Sequence, residues 1–292
     1  MKKGQEKLGW LFASPYLVYS LIFFVIPLFG ALFLSFTNWN LISPQYENVG
    51  FLNFIQAVKS PGVKAAFFVT YKFMIIFVPM VLIGSLVISL IINSLPRFKS
   101  FFSVGYFLPY LASGVATSVV VKGILSYNSA LNVWLRNTWH LNIDWLGSQI
   151  LAPLIIAVMI SWKFMGYYSL ILTSGLESIP GEVYEAAAID GATGWIKFFK
   201  ITLPLLYPAM FTVTILAVGL VFGIFTEPYV LTGGGPGFST NTWQIEIYNQ
   251  AFSKLNAGYG SAIAIIDSVV TFVTIIIVRR LLEIWGKSYG WE

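Results

Sequence analysis

EAAAIDGATGWIKFFKITLPLL occupies residues 185–206, and its reading decides what the rest of the chain is. The stretch is among the most polar of the sequence, yet long apolar runs flank it on both sides. Glu185, Ala186, Ala187 and Ala188 all favour helix. Gly191 interrupts that helix, and Pro204 opposes a smooth continuation into the next apolar run. The sequence therefore predicts a short helix with a small-residue face, a bend, and a second short helix, set between two runs suited to a membrane.

Composition supplies the setting. Charged residues make up 10% of the 292 and hydrophobic ones 57%, and the mean hydropathy is +0.79. A soluble domain carries about 25% charge, so the expected class is an all-α membrane protein. The formal charge of +5 is read as orienting loops in a bilayer, not as nucleic-acid binding. With no cysteine there is no disulfide, iron–sulfur or thiolate zinc site to consider.

A bilayer core needs about 20 apolar residues per helix. Six candidate spans meet that length, at about 10–36, 68–93, 101–125, 150–174, 206–228 and 260–284. The first follows MKKGQEK but runs past the 7–15 residues of a signal-peptide core and shows no small-x-small cleavage site, so a retained helix is expected. With both termini cytoplasmic, the inner segments hold Lys2, Lys3, Lys7, Arg97, Lys99, Lys197, Lys200, Arg279, Arg280 and Lys287. The outer loops hold only Lys59, Lys64, Arg136 and Lys254. Basic residues concentrate on the cytoplasmic side, which places residues 177–205 inside the cell. Trp39, Trp243, Tyr229 and Tyr248, in the two longest outer loops, fit an interfacial aromatic belt.

The opening stretch follows the pattern E-A-A, three residues, G, nine residues, I-x-L-P, carried by Glu185, Ala186, Ala187, Gly191, Ile201, Leu203 and Pro204, with Asp190 beside the glycine. It resembles the EAA loop of permease subunits of binding-protein-dependent ABC importers. SPYLVYSLIFFVIPLFGALFLSFTNWN (14–40), YVLTGGGPGFSTNT (229–242), IYNQAF (247–252) and GYGSAIAIIDSVV (258–270) are similar to the carbohydrate branch, near the first permease of the maltose and glycerol-phosphate systems. The resemblance spans nearly the whole chain. It implies a single permease domain over 1–292, six spans and a cytoplasmic coupling helix in a type I importer architecture. It further implies a second homologous permease, two ATP-binding subunits that hold ATP and magnesium, an extracytoplasmic solute-binding protein and a saccharide substrate. The chain itself would bind no cofactor and catalyse no reaction. FTEPYV (225–230), with Glu227 before Pro228, and Asp267 depart from the family pattern, leaving the sugar open.

Within that resemblance, one face of span four and one of span five line the translocation path. The matching positions are Ile160, Lys163, Phe164 and Tyr167, then Ala217, Leu220, Val221 and Ile224, each at one-face helical spacing. Ionisable residues inside spans are expensive and mark pathways or internal pairs. Lys163, Glu227 and Asp267 are therefore candidates too. Lys163 either meets an acidic saccharide or pairs with Asp267 or Glu227. Gly219 and Gly223 form a GxxxG that suits close helix packing.

Catalytic signatures are missing. The GKS at 286–288 lacks the P-loop glycine, because position 281 is Leu. His140 is the lone histidine, and a metal site needs several convergent ligands. No catalytic or metal residues are assigned. The reading is thus a sugar or oligosaccharide permease worked by alternating access. An acidic saccharide or a glycerol-phosphate-like solute is the alternative, and a helix bundle unrelated to ABC transport the more distant one.

Overall fold

The computed structural model describes residues 2–291, with side chains from residue 8 onward. The side chains of Lys2, Lys3 and Lys7, which entered the charge bias, lie outside the described residues. All regular structure in that range is helical, apart from one isolated bridge between Thr37 and Asn48. In chain order the helices are α1 (Lys2–Ser20), continued through a π segment (Leu21–Val25) into α2 (Ile26–Leu34), α3 (Leu52–Lys59), α4 (Pro61–Ser94), α5 (Lys99–Leu111), α6 (Gly114–Leu125) and α7 (Ala130–Trp139). Then come α8 (Leu151–Glu177), α9 (Gly181–Ile189), α10 (Gly194–Lys197), a π segment (Phe198–Thr202), α11 (Leu203–Leu205), α12 (Tyr207–Phe222) and α13 (Thr226–Thr232). The chain closes with α14 (Trp243–Tyr248), a third π segment (Asn249–Ser253) and α15 (Ala257–Lys287).

Four helical stretches are long and apolar enough to cross a bilayer: Leu8–Leu34, Pro61–Ser94, Leu151–Glu177 and Ala257–Lys287. Two further helix pairs meet the same length and composition only when taken together across a bend. Lys99–Leu111 meets Gly114–Trp139 at 85°, and Gly194–Leu205 meets Tyr207–Phe222 at 66°. The run 101–125, read from the sequence as one span, is therefore broken: Ala112 and Ser113 are extended between α5 and α6. The run 206–228 is likewise shorter than expected. Helix α12 stops at Phe222, and Glu227 belongs to the separate α13. Pro228 supplies the reason, since its ring excludes the helical carbonyl of residue 224. Apolar composition continues through both breaks, which hides them from a hydropathy count.

The chain divides into two compact units, residues 1–64 with 246–269, and 65–245 with 270–292. In the first, residues 8–34 of α1 and α2 expose an almost wholly apolar surface, the chemistry of a helix that faces lipid or a partner helix. Its ordered heart is polar. Buried Asn53 donates both amide hydrogens, to Ser35 O at 2.9 Å and Thr37 O at 2.8 Å. A β-carbon on Gly62 would collide with the Glu246 carboxylate, and one on Gly258 would overlap the Thr37 carbonyl. Glycine at 258 lets the loop after α2 and the start of α15 touch backbone to backbone.

The second unit is built round α8. Phe73, Phe77 and Val81 of α4, Ile156, Ile160, Tyr168 and Leu172 of α8, and Val213, Ala217 and Val221 of α12 form one buried cluster. Helix α5 lies against α8 at Gly166, where a β-carbon would overlap the Tyr106 carbonyl. Gly166→Val is therefore expected to separate α5 from α8 and to cost more than the ~1–3 kcal/mol typical of overpacking, because the obstacle is backbone. Thermal unfolding of the detergent-purified protein checks this, and an unchanged midpoint would contradict the packing.

The GxxxG pair is not the contact that the sequence suggested. A β-carbon on Gly219 would meet nothing within 4 Å, and one on Gly223 only the Leu220 carbonyl at 3.6 Å. Close approaches between helices fall instead at Gly84, Gly166, Gly175 and Gly286. The aromatic belt needs a correction as well. Trp243 is buried beside Phe67 and anchors no interface, whereas Tyr229 is exposed and Tyr248 half-buried.

Candidate functional site

Two constellations in the second unit carry the residues singled out above. The first is the loop after α8. Pro180 precedes α9, so the helix starts with a proline at its boundary and ends nine residues on. Its end is specified by hydrogen bonding. The Ala192 amide donates to Ala187 O at 2.8 Å and the Gly191 amide to Ala188 O at 3.1 Å. That paired arrangement needs a left-handed residue just past the helix, and Gly191 supplies it at φ +77°. The E-A-A-x₃-G spacing is thus a helix with its stop signal. The glycine provides the bend and not a close approach, because a β-carbon there would meet open space.

Glu185, Ala186 and Asp190 are exposed, whereas Ala187 is buried. Ile201, Leu203 and Pro204 are half-buried in the segment that leads to α12. Tyr184 braces the two arms: its hydroxyl lies 3.2 Å from that of Thr202, and Lys197 sits 5.9 Å over its ring. The sequence reading stressed small residues and one acid. The structure adds an apolar tip that it missed, with Ile189 87% exposed and Trp195 77% exposed. Trp195 stacks on Phe199, also exposed, with ring centroids 5.9 Å apart. A polar connector needs no such surface, and an exposed apolar patch marks a binding face. The alternation of Ile, Trp and Phe within 189–199 was the available signal.

The second constellation is an ion pair. Lys163 Nζ of α8 donates to Glu227 Oε1 of α13 at 3.0 Å, with 11% and 9% of the two side chains exposed. Of the pairings open in the sequence, this unit holds Lys163 with Glu227. Asp267 is buried on the part of α15 that belongs to the first unit. Gly114, the first residue of α6, caps the pair: a β-carbon there would stand 2.9 Å from Glu227 Oε1 and 3.2 Å from Lys163 Nζ. The break between α5 and α6 thus brings a helix N-terminus, with its unpaired amides, to a carboxylate. Lys122 of α6 adds a second tie to α13, donating to Val230 O at 2.9 Å.

Round the pair, rings fill the α8 face. Tyr110 stacks on Tyr167 at 4.6 Å between centroids and meets Phe164 at 5.4 Å, and Phe77 reaches Phe164 at 6.5 Å. Ile160, Ala217 and Val221 lie in the buried cluster, and Leu220, Phe164 and Tyr167 pack against it. Ile224 is also buried but stands beyond the end of α12. Helix α12 itself carries Ala217, Leu220 and Val221, and Ile224 joins the same buried cluster from just past its end. The face chosen on α8 is covered by protein side chains in this conformation.

Long apolar helices, two helix pairs that meet at a sharp bend, and an exposed loop between α8 and α12 are the architecture of a membrane protein. The family model described as binding-protein-dependent transport system inner membrane component matches residues 7–283, and the chain belongs to that family. Among curated relatives, the multiple sugar-binding transport system permease protein MsmF of Streptococcus mutans is 30% identical over 282 residues, 94% of each chain. The trehalose/maltose transport system permease protein MalF of Thermococcus litoralis is 30% identical, over 94% of this chain and 92% of the relative. A chain in the crystal structure of a bacterial alginate ABC transporter, solved in complex with an alginate pentasaccharide-bound periplasmic protein, superposes with a TM-score of 0.81. It covers 94% of this chain and 93% of that one at 21% identity, a likeness that speaks for the fold.

Proposed function

We propose that this chain is the membrane-spanning translocation subunit of a carbohydrate ABC importer, with both termini and the loop 177–205 on the cytoplasmic side. The observation that carries the reading is the α9–α10 loop on a permease fold, with α9 ended at Gly191 and Ile189 of α9 and Trp195 of α10 exposed at its tip. Sugar-named relatives such as MsmF and the arabinooligosaccharides transport system permease protein AraP of Bacillus subtilis, 29% identical, support the substrate class. In this reading Glu185, Ala186, Ala187, Asp190 and Gly191 enter a groove on an ATP-binding partner, which holds ATP and magnesium and does the hydrolysis. Ile201, Leu203 and Pro204 pass the movement to α12. A second permease completes the path, and a solute-binding protein delivers the saccharide from outside. The permease moves the sugar by alternating access and catalyses nothing itself.

The Lys163–Glu227 pair favours a neutral over an acidic saccharide. A lysine already neutralised at 3.0 Å offers no net charge to a uronate, and stripping it from its partner is costly. Reconstituted proteoliposomes with the partner permease, the ATP-binding subunits and the binding protein test both points. ATP-dependent uptake of a labelled neutral oligosaccharide is expected, and Lys163→Gln lowers uptake of neutral and acidic sugars by a similar factor. A selective loss of acidic-sugar uptake would restore the alternative, and an assembled complex that moves no saccharide would overturn the reading.

A further inference from the structure

The first unit contains a cavity of about 270 Å³ lined by Asn38, Trp39, Asn53, Gln56, Gln250, Asn256 and Tyr259. Five carboxamides and two aromatic rings converge there, with no charged side chain in the lining. A membrane protein has no general reason to gather amides in one hollow, since each must be hydrated or bonded.

The back wall is fixed. Asn53 is held by its two bonds to backbone carbonyls, and Gln250 Nε2 donates to Glu246 Oε1 at 2.8 Å. Trp39 is oriented by its ring N–H, which donates to Ser43 O at 2.7 Å, while its carbonyl accepts from the Gly258 amide at 3.1 Å. The rim is free. The side chains of Gln56 and Asn256 are exposed and form no hydrogen bond among the described residues. Asn38 uses only its oxygen, which accepts from the Glu47 amide at 2.7 Å. The hollow therefore offers unspent amide donors and acceptors beside two rings.

That chemistry selects a ligand. Carboxamides present a donor and an acceptor to vicinal hydroxyls, and Trp and Tyr give flat apolar surface with a polar edge. Small-molecule sites measure ~300–1,000 Å³, so this one fits a single ring and not a chain. The absence of charge in the lining disfavours a carboxylate or phosphate. We infer that this cavity is a docking site for one ring of a neutral saccharide. It is built from the loop after α2, α3, the third π segment with the turn that follows it, and the start of α15. By the six-span count these segments belong to the outer loops, where an incoming sugar first meets the permease. The inference rests on the carbohydrate reading above.

The test uses the assembled complex in nanodiscs, without binding protein, and saturation-transfer NMR with maltose, trehalose, lactose and an alginate-derived diuronate. At least one neutral disaccharide is expected to receive saturation mainly on one ring, and the diuronate none. Gln56→Ala/Asn256→Ala, at two exposed and unbonded side chains, weakens that binding at least tenfold while the thermal midpoint stays put. Equal binding by the variant, binding of the diuronate alone, or no neutral-sugar signal overturns the site. So does a defect seen only when binding protein is added, which would make the rim a protein contact. Uptake by proteoliposomes of the same complex separates the two readings: sugar import with an indifferent variant removes the site alone, whereas no sugar import removes the importer reading beneath it.

Discussion

Lys163→Met destabilises the protein by about 3–5 kcal/mol, the usual cost of leaving one buried charge without its partner. The variant strands the Glu227 carboxylate, 7% exposed, between α8 and α13. At roughly 2–4 °C per kcal/mol, the thermal midpoint of the detergent-purified permease falls by about 6–20 °C. Lys163→Met/Glu227→Leu recovers most of the loss, because two apolar groups fill the space without a desolvated charge. The comparison isolates the pair from the packing of either side chain. A single variant as stable as wild type would mean that Glu227 has another counter-charge. A double variant no better than the single would mean that Lys163 matters by its bulk. The α6 terminus at Gly114 is the natural reporter, since it rests on both charged atoms.

Gly191→Trp abolishes the coupling of transport to ATP hydrolysis. Any side chain at φ +77° meets the steric cost of the left-handed region, about 1–2 kcal/mol, and the indole adds bulk at the exposed tip. Stimulation of ATP hydrolysis by saccharide-loaded binding protein is expected to fall at least tenfold in proteoliposomes, with helix content by circular dichroism unchanged. Ile189→Asp supplies a second route that leaves the backbone alone. It removes the most exposed apolar residue of the tip and is expected to produce the same defect. If both variants respond like wild type, the loop transmits nothing and merely joins two spans.

Much of this architecture is legible in the residues, for physical reasons that can be named. Apolar length fixes the long helices α4, α8 and α15, and in α4 it carries the helix through Pro79. The end of α9 is legible because the residue past it adopts a left-handed conformation that glycine takes at least cost. The helix breaks at 112–113 and 223–225 are not, because hydropathy is averaged over a window and both sides of each break are apolar. Pro109 with Gly114, and Gly223 with Pro228, were the local signals. The partner of Lys163 was narrowed to two acids and no further, since 64 residues separate it from Glu227 and no local pattern reaches that far. The glycines show the same limit. GxxxG is a spacing on one helix, whereas the need for glycine at Gly166 comes from the Tyr106 carbonyl on another. The amide-lined cavity is scattered over three stretches that each look like ordinary loop.

The C-terminal end of the chain alters how a push at the loop 177–205 is received. Trp291 donates its ring N–H to the Pro204 carbonyl at 2.9 Å. Tyr207 stacks against Trp291 at 6.2 Å, donates to Leu282 O at 2.8 Å, and fills the space that a side chain at Gly286 would need. Pro204 is therefore clasped from the far end of α15 as well as joined to α12. A lever with one arm would tilt α12 alone. This one has two arms on a common pin, so a displacement of Pro204 either drags the last helix with it or must first undo a latch of one hydrogen bond and two stacked rings. The glycine of the GKS triplet, which binds no nucleotide phosphate in this reading, is what allows that latch to close.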